Sequence, residues 1–208
     1  IAVMTTPDKI IRDHAEEGAR LRAAFLTAQA GCIDAAARLM ARSLAAGGRI
    51  LICGNGGSAA DAQHMSGELV GRFLMERPSL PAVALTVDSS VLTAVGNDYG
   101  YDEVFARQVR GLGSPGDVLV AISTSGKSPN IVKALEAARA VGLGTVGLTG
   151  KGGGLMPPLC DHLFNVEHSL TPLIQEVHGA LIHLFCRLVD WYLFENAAAL
   201  REPVTQGA

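Results

Sequence analysis

His64 and Glu68 stand four residues apart, a spacing that puts an imidazole and a carboxylate on one helix face within reach of each other. Asp61 falls one turn earlier on the same side. Such a pair can move protons, and the same residue types can hold a divalent metal. Just upstream, the apolar run Ile50-Leu51-Ile52-Cys53 breaks into Gly54-Asn55-Gly56-Gly57-Ser58. Glycines here let a ligand approach the main chain closely. Ser58 reads as the N-cap of a helix over 59–74, whose free N–H groups and dipole favour an anion. Together these stretches suit an anionic ligand held beside an acid/base pair.

Ser123-Thr124-Ser125-Gly126-Lys127-Ser128 is a second chemically loaded stretch, between the apolar run 118–122 and a helix opened by Pro129. Its hydroxyls and main-chain N–H groups can surround a phosphate with neutral donors, and the helix N-terminus adds partial positive charge. Near the C-terminus a helix carries Gln175, Glu176, His178 and His183. His183 lies among Leu181, Ile182, Leu184 and Phe185, so it is expected to be buried, with a hydrogen-bond partner or a role.

A lone helical histidine is usually satisfied by solvent or a neighbour, here Asp61, but Glu68 and the adjoining glycine loop favour a functional His64. Met65, Leu69 and Val70 predict a largely buried helix, on which the Glu68 carboxylate needs a partner or a task. His14, His162 and His168 have no acidic or cysteine company at useful spacing and read as surface or packing residues. Gly54-x-Gly56-x-x-Ala59 imitates a dinucleotide fingerprint, but the second strand ends near Asp88, too far on for the acidic residue that motif needs. Gly126-Lys127-Ser128 imitates the end of a P-loop, yet Ala121 stands where its first glycine belongs. No nucleotide cofactor is expected.

Two helical segments come first, over about 8–29 and 32–46, with Ile11, Leu21, Phe25 and then Ala36, Met40, Leu44 at helical spacing. Short β-rich runs follow at 50–53, 82–87, 118–123, 145–148 and 162–166, alternating with helical stretches. That alternation predicts an α/β three-layer sandwich, a parallel five-stranded sheet with helices on both faces, preceded by the N-terminal helices of about 8–46. In such sheets ligands bind beyond the C-terminal strand ends, where both loaded loops fall. The last helix, about 172–195, is apolar around much of its circumference and is expected to pack on the sheet and on another subunit.

The 208 residues, 49% of them hydrophobic, suit a single domain over 1–208. A net charge of −3 with scattered basic residues gives no footprint for nucleic acid. Cys32, Cys53, Cys160 and Cys186 lack metal-type spacing and sit in apolar surroundings, as reduced core thiols would. With no signal-peptide pattern and no run of eighteen apolar residues, a cytoplasmic protein without membrane association is expected.

Taken together, the segments resemble the sugar isomerase (SIS) domain family, and within it most closely the phosphoheptose isomerases, over nearly the whole chain to about Phe194. The motifs that carry the resemblance are Gly54-Asn55-Gly56-Gly57-Ser58-Ala59-Ala60-Asp61-Ala62-Gln63-His64, Gly67-Glu68 and Arg77-Pro78-Ser79-Leu80-Pro81-Ala82, followed by Thr93-Ala94-Val95-Gly96-Asn97-Asp98-Tyr99-Gly100. Ile122 to Asn130 and Ile174-Gln175-Glu176-Val177-His178 complete them. The serine loop is common to the SIS family and implies only a phosphosugar; the other motifs together with His183 are more specific.

The resemblance implies a flavodoxin-like SIS fold and an aldose-ketose isomerase. Its reaction would interconvert sedoheptulose 7-phosphate and D-glycero-D-manno-heptose 7-phosphate, for the heptose of bacterial surface glycans such as lipopolysaccharide. It implies Glu68 as the base carrying the carbon-bound proton and His183 as its acid/base partner. Ser123, Thr124, Ser125 and Ser128 would hold the phosphate, and Asn55, Gly56, Gly57, Ser58, Asn97, Asp98, Gln175 and Glu68 would contact the sugar. It also implies zinc on His64, Glu68, Gln175 and His183, although Gln175 and His183 are eight residues apart, about 12 Å along an ideal helix. A homotetramer with sites at subunit interfaces is implied as well. Two other readings share the fold: a non-catalytic SIS protein that binds the replication initiator DnaA, and a SIS isomerase for another sugar phosphate. The presence of Glu68, His183 and Ser125 favours the phosphoheptose isomerase.

Overall fold

The structure, a computed structural model, describes residues 6–201; the ends of the expected domain, 1–5 and 202–208, lie outside the described residues. Thr6 accepts a hydrogen bond from Lys9 N and Pro7 opens helix α1 (Pro7–Ala28), which hands over directly to α2 (Ala30–Ala45). The alternating part then runs β1 (Ile50–Gly54), α3 (Gly57–Val70), β2 (Ala82–Ala84), α4 (Ser89–Tyr99), α5 (Val104–Leu112), β3 (Val118–Ser123), α6 (Pro129–Val141), β4 (Gly144–Gly150), β5 (His162–Val166) and α7 (Thr171–Asp190).

The five strands form one parallel sheet in the order β2-β1-β3-β4-β5. Every residue of β1 and β3 is buried, which is why those runs read as continuously apolar rather than alternating. Side chains on one face of the sheet, Ile50, Ile52, Val118, Val120 and Ile122 among them, pack with α2, α3 and α7 into one core. Leu51, Cys53, Leu119 and Ala121 point the other way into a second core with α5 and α6. The three layers are those expected.

Several boundaries differ from the sequence reading, each for a local reason. Helix α3 begins at Gly57 with Gly56, not Ser58, at its N-cap, because Gly56 takes φ +57° and its carbonyl already accepts from Ala59 and Ala60. It ends at Val70, short of residue 74, where the Gly71 N–H closes on the Gly67 carbonyl. Val70 is exposed, and α3 buries only Ser58, Ala62, Met65 and Leu69. Strand β2 stops at Ala84: Leu85 N still reaches Ile52 O, but Gln108 Nε2 takes the Leu85 carbonyl. Helix α7 ends at Asp190 and runs on to Glu195 as a π-helical turn. Of the four cysteines, Cys53 and Cys186 are buried, and burial raises both thiols, Cys186 to about 12. Cys160 is partly buried, whereas Cys32 falls on the solvent face of α2 and is not a core thiol.

Candidate active site

Strands β1 and β3 are paired neighbours, yet the chain leaves β1 for β2 on one side and β3 for β4 on the other. Such a reversal opens a crevice at the C-terminal strand ends. Both loaded loops emerge there side by side, since Gly54 is in register with Ile122. They are tied together by reciprocal amide bonds: Asn55 Nδ2 donates to Asn130 Oδ1 and Asn130 Nδ2 donates to Asn55 Oδ1, both at 2.9 Å. Asn55, an expected sugar contact, thereby also holds the two loops in register. Gly56 and Gly57 are exposed at the mouth of the crevice, and Ser58 is buried beneath them.

The serine loop is built to close on itself. Gly126 N donates to Ser123 O at 3.0 Å, Lys127 N donates to Ser125 Oγ at 3.2 Å, and the Ser123 and Ser128 hydroxyls lie 3.1 Å apart. Gly126 has φ +63°, and a Cβ there would stand 2.0 Å from the Gly153 carbonyl oxygen, so no side chain fits. Ser128 is the N-cap of α6 but makes no side-chain capping bond, its hydroxyl being paired with Ser123 instead. Thr124 and Ser125 are partly buried and Lys127 is exposed. Hydroxyls, main-chain N–H groups and the α6 N-terminus make a neutral-donor cradle for an anion.

Further along the crevice wall, α3 and α7 lie against each other. His64 Nε2 is 3.2 Å from Glu68 Oε1 and 3.4 Å from His183 Nε2, and one ligand atom from each of the three residues lies within 4.8 Å of the others. Bonds of 2.0–2.1 Å in a tetrahedron place neighbouring ligand atoms about 3.3 to 3.4 Å apart, close to the two spacings His64 makes with Glu68 and His183. Two imidazoles and a carboxylate are also a zinc-type donor set. The donors thus fit a divalent ion.

His183 is exposed, not buried as its neighbours in sequence suggest, because the buried stripe of α7 runs through Leu181, Ile182 and Phe185 and turns His183 aside toward α3. Its ring stacks on Phe73, with centroids 5.6 Å apart and planes 22° from parallel, and meets the His64 ring edge-on. Asp61 is half-buried; burial pushes its carboxyl up against the opposing pull of His64, and Oδ2 has no partner among the described residues. The histidine that α7 does bury is His178, whose Nε2 contacts the Thr149 carbonyl at 3.0 Å while Nδ1 has no partner among the described residues. Burial lowers its pKa to about 4.

Gln175, which the resemblance implies as a metal ligand and sugar contact, meets the glycine loop: a Cβ on Gly57 would lie 2.6 Å from Gln175 Nε2, so the amide sits over the start of α3. The two helices run in the same direction, with Gln175 beside Gly57 and His183 beside His64. Asn97 and Asp98 are exposed on α4 and bonded to each other, and α4 packs on α5 rather than on α3 or α7. His14 and His168 do have acidic company, supplied by other elements: His14 Nε2 lies 2.6 Å from Glu176 Oε1, and His168 Nε2 lies 3.2 Å from Glu17 Oε1. Phe73, Asn130 and the buried Arg77 are the site components that sequence reasoning gave no role; Arg77 and Asn130 fell within the motifs, but only contacts distant in sequence show what they do.

Comparison with known proteins agrees with this fold. The family profile described as SIS domain matches residues 13–150. A phosphoheptose isomerase of Nitratidesulfovibrio vulgaris is 56% identical over 199 residues, covering 96% of this chain and 95% of that protein. The solved phosphoheptose isomerase of Neisseria gonorrhoeae superposes with a TM-score of 0.84 at 45% identity, over 89% of this chain and 99% of that one. That of Francisella tularensis gives 0.85 at 39% identity, over 90% and 99%.

Proposed function

Because the chain belongs to the SIS domain family, and within it to the phosphoheptose isomerases, we propose that the crevice between β1 and β3 interconverts sedoheptulose 7-phosphate and D-glycero-D-manno-heptose 7-phosphate. The observation that carries this reading is the convergence of Glu68 and His183, 115 residues apart in sequence and on different helices, beside a phosphate cradle of neutral donors. A module that only bound the sugar phosphate, or that bound another protein such as a replication initiator, would need no such convergence.

The serine loop and the α6 N-terminus hold the 7-phosphate, which places the other end of the sugar chain along α3. Glu68 has Oε1 turned toward His64, while Oε2 makes no hydrogen bond among the described residues. That oxygen removes the proton from C1 of the ketose, next to the C2 carbonyl, and the electron pair moves into an enediolate. The same carboxyl returns the proton to C2, giving the aldose. His183 gives and takes the oxygen protons that accompany ring opening and the shift of the carbonyl, its ring held by Phe73. Gln175, over the glycine loop, contacts the sugar chain, as do Gly56, Gly57 and Ser58. His64, Glu68 through Oε1 and His183 would hold zinc, which when bound supplies a Lewis acid for the sugar oxygens in place of proton transfer by the His183 ring.

We further propose a homotetramer. No residue of α4 is buried within the chain, and Ile10, Ile11, Tyr99 and Tyr101 are exposed, so the contacts of Asn97 and Asp98 are expected across a subunit boundary. Among the described residues no helix is long and apolar enough to cross a membrane, and a cytoplasmic location is proposed, with the product feeding heptose for surface glycans such as lipopolysaccharide. The deciding experiment follows sedoheptulose 7-phosphate by NMR with purified protein, with Glu68→Gln as control. Conversion by the parent and its loss in the variant are expected; conversion surviving in Glu68→Gln would remove Glu68 as the base. Sedimentation should give four times the 21.7 kDa chain.

A further inference from the structure

Glu68 stands two residues from the end of α3, in the turn where a helix has no internal donors left for its carbonyls. Arg77, seven residues beyond that end, supplies them from the side. Its Nη2 donates to the Glu68 carbonyl at 2.8 Å, and Nη1 donates to the Leu69 carbonyl at 2.7 Å and the Pro78 carbonyl at 3.1 Å. Nε donates to Asp190 Oδ1 at 2.9 Å. Both charged side chains are almost wholly buried, 1% and 2% exposed. Asp190 is the last residue of α7, two turns beyond His183. One guanidinium thus joins the end of the helix that carries Glu68 to the end of the helix that carries His183, and its charge lies at the negative end of the α3 dipole.

We propose that Arg77 is a positioning residue for the isomerase site: it holds the last turn of α3 against the end of α7 and so keeps the Glu68 carboxylate in register with His64 and His183. The proposal rests on the reading of Glu68 as base and metal ligand given above. Its physical basis is that a carboxylate on an unsupported final turn moves with the fraying of that turn, whereas ligand and proton-transfer geometry tolerates displacements of only about half an ångström. Asp190 fixes the guanidinium, and the carbonyls of Glu68 and Leu69 are what the guanidinium fixes.

Two variants test this. Arg77→Lys keeps the charge beside Asp190 but cannot donate to all four acceptors in a planar fork. The double change Arg77→Met with Asp190→Leu removes both charges, so no lone ion is left buried. Folding is checked by circular dichroism, and Co²⁺ binding is followed by visible absorption alongside kinetics on sedoheptulose 7-phosphate. We expect both folded variants to bind Co²⁺ about tenfold or more weakly and to lose kcat by a similar factor with KM nearly unchanged, the size of effect seen for partners of metal ligands. Parent-like Co²⁺ affinity and kcat in a folded variant would overturn the proposal; if the double variant does not fold, Arg77→Lys decides alone. A parent that isomerises nothing would refute the proposed function, while the Co²⁺ titration would still decide whether Arg77 holds Glu68.

Discussion

The carboxamides of Asn55 and Asn130 exchange two hydrogen bonds of 2.9 Å, joining the loop after β1 to the first turn of the helix after β3. Asn130 is 2% exposed, so its amide has no water to fall back on. The bond pair fixes the distance between the glycine loop and the serine loop, the two proposed to receive the sugar and its phosphate. A ligand spanning both loops meets a site whose two halves are already in register.

Asn130→Ala should therefore cost more in catalysis than in folding. The lost bonds destabilise by about 1–3 kcal/mol, the usual cost of a buried polar group left unsatisfied. The drop in kcat/KM should reach about tenfold or more, because the two loops lose their mutual register. Steady-state kinetics and urea titration on the same preparation separate the two effects. A fall in stability with unchanged kcat/KM would show that the pair serves folding alone.

Gly126→Ala is expected to disable the phosphate cradle. The new methyl meets the Gly153 carbonyl at 2.0 Å in a backbone conformation that disfavours any side chain. The loop must open, so KM for the sugar phosphate should rise at least tenfold and competition by inorganic phosphate should weaken in parallel. Ser125→Ala and Ser128→Ala should raise KM by less, since each removes one donor. Isothermal titration with inorganic phosphate reads the binding directly; parent-like binding in Gly126→Ala would contradict the assignment of this loop.

Chelation should abolish turnover reversibly if His64, Glu68 and His183 hold a required ion. Dialysis against a strong chelator, followed by back-titration with Zn²⁺, should restore activity at one equivalent per chain. His183→Ala removes one of the three donors and should weaken metal binding by orders of magnitude, whereas Phe73→Ala, which only frees the ring, should weaken it much less. Full activity in metal-stripped protein, with the metal content measured, would reduce the cluster to a proton-transfer site.

His178 should give the protein an acid-sensitive stability. Its pKa is lowered from 6.5 to about 4 because burial disfavours the imidazolium. The folded state is therefore favoured by the neutral ring. The contribution is complete above the unfolded-state value near 6.5, declines as the pH falls, and is exhausted below about 4. The gap between the two values corresponds to about 3 kcal/mol. Urea unfolding between pH 7 and pH 4 should show a steeper loss for the parent than for His178→Gln, which cannot take up a proton. Equal slopes would mean that the ring is not buried neutral.

Much of the architecture is written in local pattern. Apolar runs long enough for a strand but not for a helix, separated by helical periodicity and glycine, sufficed for five parallel strands, their helices and both ligand loops, because strand burial and helix amphipathicity are properties of neighbouring residues. The pairing of His64 with Glu68 was equally local, being a single helical turn. What sequence could not supply was everything set by the packing of distant elements. His183 was read from its apolar neighbours as buried, yet the direction in which a helix faces its partner depends on how α7 lies on α3. That Gln175 lies beside Gly57 follows only from how α7 lies along α3. His14 and His168 lacked acidic partners along the chain and found Glu176 and Glu17 across space. Sequence thus determined which residues could do the chemistry, since composition and spacing fix donor types and helix faces. Tertiary structure decided which of them meet, since side chains from separate elements converge only through the packing of the sheet and its two helical layers.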